Sequence, residues 1–179
     1  VASIFLPFLP MLPIHILIQN LIYDISQISI PWDTMDEDYL KQPRKWDASG
    51  ISKFMIFIGP ISSIFDIVTF LVMWFVFKCS AGTEAAQALF HSGWFVEGLL
   101  SQTLIVHMIR TKKIPFIQDS ASFPVMMLTF LAMIAGIVIP FTSFGRSVDL
   151  TALPPLYFVW LAGILISYCF LTQVVKKWY

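Results

Sequence analysis

Five long apolar runs constrain what this chain can fold into more than any other feature. They cover residues 14–30, 54–77, 93–109, 123–141 and 156–175. An α-helix rises 1.5 Å per residue, so runs of about 17 to 24 residues match the hydrocarbon core of a bilayer, which is about 30 Å thick. The chain is therefore predicted to be all-α, a polytopic membrane helix bundle with five full transmembrane helices.

The composition favours lipid over water as the surrounding medium. Hydrophobic residues make up 58% of the chain and charged residues 12%, whereas a soluble domain carries about 25% charged residues. The mean hydropathy is +0.79. Because of this apolar excess, we expect membrane lipid as a partner. The net charge is zero, so we expect no nucleic acid as a partner. We treat residues 1–179 as one membrane unit.

The first residues predict a helix that is cut short. Residues 1–8 are too short to span, and because they show no initiator Met, basic region or cleavage site, we do not expect them to be a signal peptide. We expect them to be the end of a truncated helix of a longer protein. Pro7, Pro10 and Pro13 then break the helix before the first full run.

The distribution of Lys and Arg predicts how the bundle is oriented. If the connections alternate sides, one side holds nine of these residues and the other holds two, Lys78 and Arg146. Cytoplasmic loops carry the excess of positive charge. The polar loop 31–53, the connection 110–122 and the C-terminus are therefore predicted to be cytoplasmic.

A carboxylate in the first full run is the strongest functional signal. Asp24 lies four residues after Asn20, so the two side chains project from the same face of a helix. A carboxylate at bilayer depth is costly and usually has a function or a partner. One amide and two carboxylate oxygens suit a hard cation. The alternative is an interhelical hydrogen-bond clamp that also uses Gln27.

Three further polar residues could add oxygen ligands. Asp66 has Ser62 and Ser63 one turn before it and Thr69 one turn after it. It is a second carboxylate near the same cation or one that gates the path of that cation. The alternative is a carboxylate that these hydroxyls neutralise or that is protonated through a raised pKa. Glu97 could equally serve a structural pair or transport, and Gln102 could supply an amide oxygen. The histidines lack metal-ligand spacing, and we expect His15 and His107 to be interfacial or packing residues.

Several blocks of the chain resemble P-type ATPases. The segment Leu12–Asp24 is similar to the sixth membrane helix of that family, with Asn20, Tyr23 and Asp24 at the positions of an Asn, a Thr and an Asp. Tyr23 departs from the calcium-pump pattern. The runs 53–66, 101–111 and 114–116 look like those of the bacterial magnesium-transporting P-type ATPases.

This resemblance implies the fold and the activity of a larger pump. The chain would supply the end of the fifth membrane helix and helices six to ten. Its partners would be the remaining helices and the cytoplasmic domains, in a bacterial inner membrane. The parent would hydrolyse ATP to import Mg²⁺, whereas this part would bind no ATP and hold no catalytic residue.

The resemblance and the polar residues together define the expected metal site. The ligands would be Asn20, Asp24 and Asp66, with Tyr23, Gln102 and Glu97 as further candidates. Mg²⁺ prefers about six oxygens and keeps part of its water. Two alternatives remain. The chain is part of a secondary cation transporter, or it is a structural membrane subunit in which Asn20, Asp24 and Gln27 form a hydrogen-bond clamp.

Overall fold

The structure is a computed structural model that describes residues 2–34, 48–111, 114–116, 118 and 120–178. These residues form helices and no β-strand. We number the α-helices α1 Ala2–Phe5, α2 Pro13–Gln27, α3 Ala48–Leu71, α4 Glu84–Arg110, α5 Phe123–Val138, α6 Ser143–Ser147 and α7 Pro155–Trp178. A 3-10 turn, Ile30–Trp32, follows α2, a second, Cys79–Ala81, precedes α4, and a third, Ile139–Phe141, extends α5.

Two helices begin earlier than the apolar runs suggest. Helix α3 begins at Ala48, inside the predicted loop 31–53, of which residues 35–47 lie outside the described residues. Helix α4 begins at Glu84, although residues 84–92 are polar enough to be placed in a loop from sequence. Thr83 caps α4 by accepting a hydrogen bond from the backbone N–H of Ala86 at 3.3 Å. A side-chain cap stabilises a helix end that has no apolar run of its own.

Helix α4 is the centre of the bundle. It packs against α2, α3, α5 and α7, and its side chains are buried along most of its length. Because neighbouring helices cover it, α4 can hold polar residues that would be costly against lipid. The core on one side joins Phe90, Phe95 and Tyr157.

The helices alternate direction, so the connections gather at two ends. At one end Arg110 of α4 bonds Asp33 after α2, and Lys176 of α7 donates to Met108 O and Thr111 O, both at 2.8 Å. At the other end His15 of α2 bonds the backbone oxygen of Val148. The described contacts agree with the predicted alternation of loops. Several of the Lys and Arg residues on which the predicted orientation depends, Lys112 and Lys113 among them, lie outside the described residues.

Three helical segments are long and apolar enough to cross a bilayer, judged over the described residues. They are Met55–Val76, Phe123–Phe141 and Pro155–Lys176. Helix α2 has 15 residues, a rise of about 22 Å. Helix α4 has 27 residues but is more polar than the other long helices. The multi-pass all-α fold is confirmed at this level, and five full spans stay a prediction.

A glycine allows α3, α4 and α7 to approach closely. A Cβ at Gly93 of α4 would lie 2.7 Å from Met73 Sδ and 3.2 Å from Tyr157 Cε2. Met73 belongs to a π-helical turn, Val72–Val76, that continues α3. The hydroxyl of Tyr157 donates to Gly93 O at 2.6 Å. This contact fixes the packing of α4 against α7 where the π-helical turn after α3 meets them.

Candidate cation site

Helix α2 docks on α4 through the residue that precedes Asn20. Gln19 is buried, and its Nε2 donates to Phe95 O at 3.4 Å. A Cβ at Gly98 would lie 2.6 Å from that same nitrogen, so the missing side chain of Gly98 makes room for Gln19. Successive residues of a helix are rotated by about 100°. Asn20 and Asp24 are thereby turned away from α4.

The predicted pair on α2 is exposed in the described part of the chain. Asn20 and Asp24 are both exposed, and Tyr23 is half-buried, with its phenol within electrostatic range of the Asp24 carboxylate. Neither Asn20 nor Asp24 bonds another described helix. Gln27 donates to Ser26 Oγ of its own helix at 3.1 Å. A hydrogen-bond clamp made by these three residues is therefore not present among the described helices.

Glu97 is the most deeply buried acidic side chain among the described residues. It lies on α4 and is 1% exposed. Its carboxyl is within electrostatic range of Asp66, and the Ser101 hydroxyl is within hydrogen-bonding reach. That hydroxyl also donates to Gly98 O at 3.2 Å. Glu97 Oε2 is buried without a hydrogen-bond partner, which is an uncommon arrangement in a folded protein.

Asp66 lies on α3, is half-buried and is within electrostatic range of Glu97. The expected hydroxyl neighbours do not neutralise it. Ser62 pairs with the hydroxyl of Tyr168 at 3.2 Å, Ser63 is exposed, and Thr69 Oγ1 is buried without a partner. Asp66 thus remains available as an oxygen ligand.

The candidate ligands are divided between two faces. Asn20 and Asp24 are exposed on α2, whereas Asp66 on α3 and Glu97 on α4 lie within electrostatic range of each other. Gln102, on α4, is half-buried. Over the described ranges, no three Asp, Glu, His or Cys side chains converge as a metal group. Neither face is a complete site by itself.

A polar clasp joins the ends of α2, α4 and the start of α5. Asp33 accepts hydrogen bonds from the Ser122 N–H at 2.8 Å, the Thr34 N–H at 3.0 Å and the Arg110 guanidinium. Burial by itself would raise the pKa of Asp33, but the bonds from Ser122 and Arg110 outweigh it and lower this pKa. The clasp ties the segment that follows α2 to the end of α4 and to the start of α5.

The structure brings together residues that look unrelated in sequence. The rings of His15 and His91 are 5.2 Å apart. His91 Nδ1 lies 3.0 Å from Asp149 Oδ2, and its Nε2 lies 2.8 Å from Leu9 O. Both partners are acceptors, so both contacts are hydrogen bonds only when His91 carries two N–H groups. Separations of 58 and 82 residues leave no local signal for this cluster.

His15 and His107 are packing residues, as predicted. His15 is fully buried, and His107 is buried with Nε2 2.9 Å from Thr129 Oγ1. Sequence reasoning missed the buried tyrosines Tyr157 and Tyr168, which lie within electrostatic range of Glu97. Their spacing of eleven residues, three helical turns, was the available signal that they share a face.

The sequence of the chain matches a known protein family and several of its members. The family model described as cation transporting ATPase, C-terminus, matches residues 8–178. The magnesium-transporting ATPase, P-type 1, of Salmonella typhimurium strain LT2 is 61% identical over 179 residues. The proteins of that name from Escherichia coli K12 and Salmonella typhimurium 14028s are 58% and 56% identical over the same length. The chain spans 20% of the length of each.

Proposed function

The chain belongs to the family of cation-transporting ATPase C-terminal regions, and we propose that it forms the C-terminal membrane part of an ATP-driven magnesium importer. The proposal extends the printed function of relatives that are 56–61% identical to the chain. In it, this part supplies oxygen ligands to the Mg²⁺ path, and the phosphorylation and nucleotide domains belong to the rest of the parent. The parent lies in the inner membrane with the C-terminus of the chain in the cytoplasm.

One observation carries the proposal: an exposed carboxylate on an apolar face. Asp24 and Asn20 are exposed on α2 beside Leu17 and Leu21, which are 64% and 58% exposed. A carboxylate left against hydrocarbon is strongly unfavourable. In a membrane, this face of α2 should therefore pack against another element that offers a polar or charged partner to Asp24. Further helices of the parent, closing on a cation held by Asn20 and Asp24, meet that need.

The donor chemistry favours a hard cation. Asn20, Asp24 and Asp66 offer oxygen only, and Tyr23, Gln102 and Glu97 can add further oxygens. No thiolate or imidazole belongs to this set, which disfavours zinc and copper. Mg²⁺ accepts a few carboxylates together with retained water. We propose that the missing oxygens come from water and from helices of the parent.

The test is uptake of Mg²⁺ by the full-length parent in proteoliposomes. We expect Asp24→Asn to abolish uptake and Asp66→Asn to lower it at least tenfold, with normal expression and assembly. The matched control is Asp149→Asn, an exposed carboxylate at the end of the bundle, which should transport normally. Normal uptake in Asp24→Asn would refute the proposed role, and loss of assembly would indicate a structural role instead.

A further inference from the structure

A buried imidazole ties two connections of the chain together at the end of the bundle opposite the clasp. His91, on α4, is 2% exposed. Its Nδ1 lies 3.0 Å from Asp149 Oδ2, in the connection between α6 and α7. Its Nε2 lies 2.8 Å from Leu9 O, in the connection between α1 and α2. The ring therefore links the segment that leads into α2 to the segment that leads into α7.

Two neighbouring histidines differ in the number of ring protons that their contacts require. His15 Nδ1 accepts from the Leu12 N–H at 3.3 Å, and His15 Nε2 bonds the backbone oxygen of Val148. One proton, on Nε2, satisfies both contacts of His15. His91 meets an acceptor at each nitrogen, so it needs two protons. A ring with two protons is positively charged, so His91 is the charged member of the pair.

The surroundings of His91 suit a single positive charge. The titratable side chains that the described elements bring against it are Asp149 and His15, whose ring centre is 5.2 Å from that of His91. Phe8 adds an apolar ring at 6.0 Å. The Asp149 carboxylate compensates the charge on His91, and His15 adds no charge because one proton satisfies its contacts. The two connections are thus joined by one ion pair and one charge-assisted hydrogen bond.

We propose that His91 is a proton-operated latch between these two connections. With two ring protons it binds Leu9 O and Asp149 at once, and the latch is closed. When the ring loses one proton, one nitrogen presents a lone pair to an acceptor, and that contact is lost. Histidine is the side chain that ordinarily changes charge between about pH 5 and pH 8. The latch is therefore closed in acid and opens as the pH rises.

The latch acts on the helix that carries the proposed cation ligands. Leu9 lies in the segment that leads into α2, and α2 carries Asn20 and Asp24. The proposed orientation puts this end of the bundle outside the cytoplasm, so the proton that closes the latch comes from that side. The latch itself rests on the contacts of His91, whereas its effect on Mg²⁺ uptake rests on the proposed function.

Asp149→Asn separates a proton-operated latch from a contact that is only structural. Asn tolerates the left-handed backbone of residue 149, where φ is 62°. Its amide oxygen accepts from a protonated His91 Nδ1, and its amide N–H donates to an unprotonated one. The bond from Nε2 to Leu9 O is kept in both states, so the latch should stay closed at every pH. At about pH 5, where the wild-type latch is closed too, Mg²⁺ uptake should equal that of the wild type, as the use of this variant as a control requires.

The first readout is the mobility of the segment that leads into α2, measured by electron paramagnetic resonance on the full-length parent in lipid nanodiscs. A nitroxide label is attached at Leu9→Cys, in a parent whose other reactive cysteines are replaced. The Leu9 side chain is 57% exposed, while its backbone oxygen makes the contact with His91. Between about pH 5 and pH 9 we expect the rotational correlation time of this label to shorten at least threefold in the wild type. It should stay constant in Asp149→Asn.

A label at the opposite end of the bundle is the matched reference. Thr34 is exposed and lies in the clasp, where its N–H bonds Asp33 and its backbone oxygen bonds Arg110. Carboxylate and guanidinium groups keep their charges over this pH range, so a label at Thr34→Cys should keep its mobility. Constant mobility of the Leu9 label in the wild type, or an equal change in Asp149→Asn, would overturn the latch.

The second readout connects the latch to the transported ion. Mg²⁺ uptake is measured in proteoliposomes while the pH is varied only on the side of His91. The ratio of the rate of Asp149→Asn to that of the wild type should be about one at pH 5 and at least threefold higher at pH 9. A constant ratio, with the label behaving as expected, would overturn the effect of the latch on transport. A parent that transports no Mg²⁺ at any pH would refute the proposed function, and the label at Leu9 would still decide the latch.

Discussion

Removing the Asp33 carboxylate should loosen α2 from the rest of the bundle. Asp33→Ala removes the acceptor of the Ser122 N–H, the Thr34 N–H and the Arg110 guanidinium. A hydrogen bond to a charged group is worth about 1.5–3 kcal/mol, and breaking a buried pair costs about 3–5 kcal/mol. The Asp33 side chain is 15% exposed, and Arg110 keeps bonds to Thr34 O and Ser120 O. We therefore expect a loss of about 2–3 kcal/mol.

The assay is an SDS titration of the chain in mixed micelles, followed by tryptophan fluorescence. Asp33→Asn keeps an acceptor for the Ser122 N–H but removes the charge, so it should lose about half as much free energy of unfolding. The control is Asp149→Ala, whose side chain is 51% exposed and should cost less than about 1 kcal/mol. A loss for Asp33→Ala no larger than that of Asp149→Ala would refute the clasp.

The same carboxylate predicts a dependence on pH. Its pKa is lowered in the folded protein, so its contribution is complete above the unfolded pKa of about 3.9 and is lost as the pH falls through the lower folded value. The free-energy difference between wild type and Asp33→Ala should therefore be constant from pH 5 to pH 8. A difference that declines within that range would contradict the assignment.

Two further substitutions and one labelling reaction test the packing. Gly145→Ala would place a Cβ 2.1 Å from the backbone oxygen of Ile139, so we expect a loss of about 2–3 kcal/mol in the same titration. Tyr157→Phe removes the hydrogen bond to Gly93 and should cost about 1 kcal/mol there. Cys79 is fully buried, and burial raises the pKa of its thiol to about 11. At pH 7 it should react with maleimide at least about 100-fold more slowly than a free thiol.

The membrane character of the chain follows directly from its sequence, but the roles of its helices do not. Helices α5 and α7 can be predicted from hydropathy alone, because lipid and neighbouring helices favour apolar residues along their whole length. Helix α4 is covered on several sides, so its first turns can hold Gln87 and His91, and hydropathy places its start too late. The N-cap at Thr83 was the local signal for the true start.

The sequence predicts which candidate ligands share a face of one helix, but not which helices bring their ligands together. The spacing of Asn20 and Asp24 fixes a shared face, and the structure keeps them together. Which way that face points depends on Gln19 docking against Gly98, a contact between residues 79 positions apart in numbering. The meeting of Asp66 with Glu97 likewise depends on how α3 crosses α4. Pairing between helices is set by tertiary packing, which no local pattern specifies.

The most direct test of the central claim is equilibrium binding of Mg²⁺ to the full-length parent, wild type against Asp24→Asn, with Asp149→Asn as control. Isothermal titration in lipid nanodiscs without nucleotide measures binding apart from hydrolysis. If Asp24 is a ligand, its variant should bind Mg²⁺ at least 100-fold more weakly, while Asp149→Asn should bind as the wild type does. Unchanged affinity in a folded Asp24→Asn protein would contradict the account.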